Sequence, residues 1–315
     1  MKSFPNPPAN GVNQWLPSAA RWCKNAGYSQ EQAIALINTK EELLRGGRYF
    51  QPNEIERAVA RIYSDQMPLS SQRSVQAIEF DPNALAILAA KHPEAQSPCY
   101  FKARSPVPVG CVCTERYLHL ITRPGEKHLC FRRFKSQGQF VFENTGDPCQ
   151  TGGYLSHWYN VWDDGAWFLP QPVTGEFTPK LDGKETRRSE ANVTSFRFLL
   201  LESDVADKAH WLSMLAQLPL PIVSITDSGG KSVHALVLIN AHNKAEWLMR
   251  VFGEPYGPLI RHLGLYGVDS AAIKALQLTR LPGVHRGKQF QELLYLNLEP
   301  DGSPITNQKP HPTLP

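Results

Sequence analysis

The sequence predicts an α+β protein in two parts, a small helical module over residues 1–70 and a larger domain over residues 71–305, with residues 306–315 as a flexible tail. Three observations carry that expectation. Residues 12 to 64 show helix-like periodicity with recognisable starts and stops, and a polar, turn-rich break, "SDQMPLSSQRS", follows them. The last third then alternates strand-like and helix-like segments in a definite order.

In the first part, helices are expected over 19–25, over 29–45 with Ser29 as N-cap and Gly46-Gly47 as the stop, and over 52–64 with Pro52 in the first turn. After the break, a short helix over 82–91 leads into strand-like pieces separated by Gly and Pro. The order is clearest from residue 196: strand 196–203 ("FRFLLLES"), helix 206–217, strand 221–226, a turn, strand 232–239, helix 242–252, and a closing strand 292–299 ("ELLYLNLE"). Such a β-α-β-β-α-β run on an antiparallel sheet is the ferredoxin-like or RRM-like arrangement. There is no internal repeat.

The turn in this run, within "TDSGGKSVHALVLI", contains Gly-Lys-Ser and so looks at first like a phosphate-binding loop. That loop needs G-x-x-x-x-G-K-[ST] between a strand and a helix. Here the first glycine position is Ile225, and the residues after Lys231 alternate and branch at Cβ as in a strand. The segment is a hairpin, and Lys231 is a turn residue.

At 315 residues, with 42% apolar and 20% charged residues, the chain has the composition of an ordinary globular protein. No apolar run approaches the roughly 18 residues of a spanning helix, and the start "MKSFPNPPANG" lacks the apolar segment of a secretion signal. The expected location is the cytoplasm, with no membrane partner. Six cysteines in such a chain are read as free thiols or metal ligands. Cys111, Cys113, Cys130 and Cys149, with His119 and His128 nearby, could hold a structural Zn²⁺, but they form no C-x₂-C pair and buried thiols are the preferred reading.

The formal net charge of +4 is modest, but it is unevenly spread. Between Pro255 and Gln291, five basic residues (Arg261, Lys274, Arg280, Arg286, Lys288) face one acid, Asp269. A second basic stretch interleaves Arg132, Arg133 and Lys135 with Phe131 and Phe134, a composition suited equally to a nucleic-acid surface or to a solvated strand edge. The aromatic cluster Trp158, Tyr159, Trp162, Trp167 and Phe168 could stack bases, although core packing is the preferred reading.

The residues with chemistry follow from strand periodicity. In "FRFLLLESD", Glu202 and Asp204 are two apart and share a face if the strand persists to its end. Two adjacent carboxylates repel unless a cation holds them, and hard ions such as Mg²⁺ or Mn²⁺ take oxygen ligands of this kind; an exposed strand end is the bland alternative. Ser232 and His234 repeat the geometry on the next hairpin, where a protonatable donor would suit a nucleotide's phosphate or hydroxyl groups. Asp269 could add a third carboxylate, with Arg280, Arg286 and Lys288 downstream. Acids for metals and cations for a triphosphate make up an inventory for phosphoryl transfer.

The series Glu202-Ser-Asp204, Ser232-Val-His234, and Asp269 leading to "LTRLPG" resembles the archaeo-eukaryotic primase superfamily, especially its bacterial and mobile-element primase-polymerases. With "GAWFLPQPVTGE" and "RRSEANVTSFRFLLLESD", the resemblance extends over about residues 75–300. It implies that Glu202, Asp204 and Asp269 bind two divalent ions, Mg²⁺ or Mn²⁺. It further implies that Ser232 and His234 meet the incoming nucleotide, and that Arg280 and Lys288 meet its phosphates, with Lys231 and Arg286 as auxiliary contacts. The implied activity is template-dependent transfer of NTPs or dNTPs on single-stranded DNA, with a replicative helicase as a conceivable partner. The first acid departs from the pattern: it is Glu202 where Asp is more usual, a longer side chain that could shift one metal. Two rivals belong to other classes. A metal-dependent replication-initiator nuclease would want a His-x-His strand, and only Ser-Val-His is present; a non-catalytic nucleic-acid-binding protein of a mobile element would keep the fold alone.

Overall fold

The computed structural model describes residues 12–25, 28–41, 54–64, 78–132, 140–146, 165–179 and 185–311. Arg133, Lys135, Phe134, Cys149, Trp158, Tyr159 and Trp162 lie outside the described residues, as do Gly46-Gly47, the break after Ser64 and the last four residues. The chain forms two compact units, residues 1–74 and 75–315.

The first unit contains α1 (Val12–Asn25), α2 (Gln30–Glu41) and α3 (Glu54–Ser64). Helix α1 begins earlier than expected because it continues through Pro17. A proline there forfeits one intrahelical hydrogen bond, but the face formed by Trp15, Leu16, Ala19, Ala20 and Cys23 is fully used in burial against Ala33, Ile37, Val59 and Ile62. Ser29 caps α2 as the sequence predicts, in a reciprocal pair. The Gln32 N–H donates to Ser29 Oγ (3.2 Å) and the Ser29 N–H donates to Gln32 Oε1 (2.8 Å).

The larger unit opens with three helices, α4 (Pro82–Ala89), α5 (Pro98–Arg104) and α6 (Thr114–Ile121). Strands β1 (Lys127–Phe131), β2 (Phe140–Glu143), β3 (Trp167–Phe168), β4 (Thr178–Pro179) and β5 (Glu185–Thr186) follow. The expected run then appears as β6 (Phe196–Leu201), α7 (Lys208–Gln217), β7 (Ile222–Asp227), β8 (Val233–Ala241) and α8 (Lys244–Phe252). Helix α9 (Gly257–His262), β9 (Thr279–Arg280), β10 (Val284–Arg286) and β11 (Gln289–Leu296) complete it. Asp207 and Asn243 cap α7 and α8 with their side chains, which fixes each helix start two residues later than expected.

Two antiparallel sheets organise this unit: a five-stranded sheet in the order β10-β11-β7-β8-β6, and a four-stranded sheet in the order β2-β1-β3-β9. The closing strand β11 pairs with β7 and not with β6, so the order β11-β7-β8-β6 corrects the ferredoxin-like or RRM-like expectation, in which β11 would lie beside β6; β10 extends the β11 edge. One face of the five-stranded sheet (Leu199, Leu201, Val233, Ala235, Val237) is buried with Trp211 and Leu215 of α7 and Trp247 of α8. The other (Phe198, Leu200, Leu236, Leu293) meets Cys130, Phe142 and Phe168 of the four-stranded sheet, with Tyr117, Leu118 and Ile121 of α6. Burial on both faces explains why β6 is apolar without a break from Phe198 to Leu201.

Two buried glutamines join the layers. Gln171 Oε1 accepts the N–H groups of Arg197 (2.7 Å) and Phe198 (3.1 Å), satisfying β6 where its pairing with β8 slips by a residue. Gln291, on β11, accepts the Ala166 N–H (3.0 Å) and donates to the carbonyls of Ala166 (2.9 Å) and Leu281 (2.8 Å), holding the segments of β3 and β9 together. Gly165 must be glycine for this clamp: its φ is +74° and a Cβ would collide with the Gln291 side chain. Gly165→Ala should therefore lower stability by roughly 3 kcal/mol, from combined backbone strain and overpacking, as a lower urea midpoint with an unchanged slope.

Candidate active site

Strand alternation places the site at one end of the gap between the sheets. Phe198 and Leu200 face the four-stranded sheet, so Glu202, two residues further, continues towards that side. Strand β6 itself ends at Leu201, one residue before the acids. The chain turns because buried Ser203 accepts the N–H groups of Val205 (3.4 Å) and Ala206 (3.1 Å) on its hydroxyl. On β8, His234 shares the face of Leu236 and lies beside the end of β6, where Leu201 pairs with Ala235.

These residues border a cavity of about 680 Å³. Glu202 and Asp204 contribute from the end of β6, Ser232 and His234 from the start of β8, and Gly230 and Lys231 from the β7–β8 turn. The four-stranded sheet contributes Trp167 and Arg280, and the β10–β11 hairpin contributes Arg286 and Gln289. The strands β6 and β8, far apart in sequence, thus bring the two paired motifs together. Asp269 and Lys288 do not line the cavity. Asp269 still lies close: its N–H donates to the Glu202 carbonyl (2.9 Å), while its carboxylate accepts the Ala271 N–H (2.8 Å) and caps a short 3₁₀ turn. Lys288 sits exposed at the tip of the β10–β11 hairpin.

Electrostatics divide the cavity. Burial, together with the charges of Asp204 and Asp269, pushes the Glu202 carboxyl up to about 7 against the partial relief given by Gln277 and Arg280. Gln277 Nε2 donates to Glu202 Oε1 at 3.3 Å. The cations lining the cavity are Arg280, Arg286 and Lys231. The Arg280 guanidinium lies 4.0 Å from the centre of the Trp167 ring, its cross-strand neighbour. Arg286 packs its guanidinium over Gly230, where a Cβ would collide with it.

His234 corrects an expectation. A protonatable donor is what the sequence suggests, but burial and the nearby Arg280 and Arg286 lower its pKa to about 3, so the ring is neutral at physiological pH. Its Nδ1 faces the Arg280 N–H (3.4 Å) and the Thr279 hydroxyl (3.1 Å), which assigns the proton to Nε2. Nε2 lies 3.3 Å from both Glu202 Oε2 and Ser232 Oγ. The contact with Glu202 is thus a neutral imidazole N–H donating to an oxygen, and not an ion pair.

Among the described residues, no group of three or more His, Cys, Asp or Glu is arranged to hold a metal ion. For a divalent cation, the donor set fits in kind: two carboxylates border the cavity, a third acts on Glu202 electrostatically, and the repulsion between them is what a cation would relieve. Of the cysteines considered for zinc, Cys149 and the side chain of Cys111 lie outside the described residues. Cys130 is buried in the core between the sheets with its thiol pushed up to about 12, and Cys113 is exposed. Arg132 is exposed just beyond β1.

Sequence reasoning missed Gln277, Leu278 and Gln289, which line the cavity, and Thr279, which meets His234. Trp167 is buried in the core with Leu129, Phe131 and Leu169, the preferred reading, and it also borders the cavity beneath Arg280, while its neighbour Phe168 is buried against Tyr117.

No protein-family model matches the chain, and no curated protein sequence matches it. A similar solved structure is the AEP domain (PP-N190) of the cyanophage S-2L primase-polymerase, PrimPol, at 18% identity over 60% of this chain and 91% of that one, with a TM-score of 0.36. At that score the likeness carries no argument about chemistry.

Proposed function

We propose that this chain is a primase-polymerase, transferring NTPs or dNTPs to a growing strand on a single-stranded DNA template. One observation carries the proposal: a single cavity is lined by the carboxylates Glu202 and Asp204, by the cations Arg280, Arg286 and Lys231, and by a neutral histidine, His234. Glu202 and Asp204, assisted by Asp269, would hold Mg²⁺ or Mn²⁺, which when bound would supply charge neutralisation at the reacting phosphate and activation of the attacking hydroxyl. Arg280 would bind the nucleotide's phosphates, fixed by Trp167 beneath it, with Arg286 and Lys231 at the rim. His234 would offer its Nε2 proton, and Ser232 its hydroxyl, to the sugar or phosphate oxygens.

The test is incubation of the full chain with a single-stranded template, labelled NTPs or dNTPs, and Mg²⁺ or Mn²⁺, with and without a primer. Template-complementary products are expected. Their absence, with oligonucleotide binding intact, would leave the binding-protein rival in place.

The Glu202 shift gives a second, independent readout. Because the folded-state pKa of about 7 exceeds the ordinary 4.5, the folded protein holds an extra proton between those values, and stability falls as pH rises through that window. The full cost, of order 3 kcal/mol, applies above pH 7. Glu202→Gln should therefore melt higher than the parent at pH 8 and lose that advantage at pH 4.5. Mg²⁺ or Mn²⁺ should raise the parent's melting temperature at pH 8 and leave that of Glu202→Gln unchanged.

A further inference from the structure

We infer that the β10–β11 hairpin is a docking surface for single-stranded polynucleotide running out of the cavity; this rests on the nucleotidyl-transfer reading of the cavity beside it. The hairpin pairs His285 with Phe290 and Arg286 with Gln289. Directly opposed residues share a face, and adjacent pairs alternate. Arg286 and Gln289 therefore look into the cavity, and His285 and Phe290 look away from it. The outward pair is exposed and stacked edge to face, with ring centroids 5.0 Å apart and Phe290 44% exposed. Lys288 is exposed at the tip between them.

Charge favours a polyanion. Residues 284–291, "VHRGKQFQ", contain no acid. The acids beside the hairpin are already engaged: Glu292 pairs with Lys102 (2.6 Å) and Asp227 with Lys208 (2.9 Å). Lys231, on the adjoining β7–β8 turn, extends the positive row back to Arg280 inside the cavity. A row of cations with an exposed aromatic pair at its outer end is the surface a single strand uses, phosphates on the cations and a base against the ring. A strand leaving the cavity would pass from the cations that line it to Lys288 and the outward aromatic pair. The position of Lys288 at the hairpin tip, and not along the cavity, thus moves it from the nucleotide's phosphates to the polymer's backbone.

The experiment uses the full chain, fluorescein-labelled oligo-dT across a salt series, and labelled nucleotide in a filter assay. Phe290→Ala and Lys288→Ala each change an exposed side chain, so melting temperatures should match the parent. Combined, they should weaken oligo-dT binding roughly tenfold or more, and Lys288→Ala should reduce the slope of log K against log salt by about one. Phe290→Trp should retain binding, since any large aromatic can stack, and nucleotide affinity should stay within about twofold for all variants. Unchanged oligo-dT affinity and slope in the double variant would overturn the inference, as would parallel loss of oligonucleotide and nucleotide binding. The preceding proposal fails differently: oligo-dT binding that depends on the hairpin, without any synthesis by the parent chain, would sink that proposal and leave this one standing.

Discussion

Asp204→Ala should reduce dinucleotide formation and primer extension by at least roughly a thousandfold, about 4 kcal/mol of lost transition-state stabilisation, while the protein melts at or above the parent's temperature. The two halves of this expectation come from one piece of geometry. Asp204 is exposed just beyond β6 and contributes no core packing. Its charge is the larger of the two carboxylate influences that raise Glu202. Removing it takes away a metal ligand and at the same time relieves repulsion stored in the folded state, so activity and stability should move in opposite directions. Asp269→Ala makes the contrast: it also removes a carboxylate from the cluster, but it strips the cap from the Ala271 N–H and should cost about 1 kcal/mol of stability. Retained synthesis by Asp204→Ala would sink the catalytic assignment, and lost synthesis with a lowered melting temperature would point to misfolding instead.

What the sequence made legible tracks the length of each element. Strands β6, β7 and β8 and helices α7 and α8 are long enough to express their periods, and the turn over Ser228 to Ser232 has the glycines a hairpin needs. The pairs Glu202/Asp204 and Ser232/His234 could be placed on one side of the sheet by counting in twos, even though β6 stops before the acids. The four-stranded sheet was not legible. Strands β3 and β9 are two residues each, too short for any period, and they form because Gln291 on a distant strand ties Ala166 to Leu281. The burial of Trp167 could be read from its type, but its place under Arg280 could not, since that follows from a cross-strand register fixed by residues more than 100 positions away. The neutrality of His234 was hidden too, since it depends on burial and on two arginines from other strands.

Arg197→Leu should destabilise the protein while sparing the chemistry. Arg197 Nη1 donates to Glu126 Oε2 at 2.6 Å, with the two side chains only 11% and 16% exposed. Burial lowers the Arg197 pKa, and its Nε is buried without a partner, so the pair already bears an uncompensated desolvation cost. Removing the guanidinium leaves a shielded carboxylate whose remaining partner is the Arg123 N–H (2.8 Å), and the expected loss is about 3 kcal/mol. Glu126→Leu should cost as much or more, because it strands a cation with an unmet donor. The double replacement by leucine should cost less than either single change, since no buried charge remains; a urea series on all three proteins measures the coupling. Below its unfolding midpoint, Arg197→Leu should synthesise at nearly the parent's rate, because Gln171 still binds the backbone N–H groups of residues 197 and 198 and holds the register that delivers Glu202 and Asp204 to the cavity. An Arg197→Leu protein that is folded but inactive would mean that the ion pair, and not Gln171, sets the position of those acids.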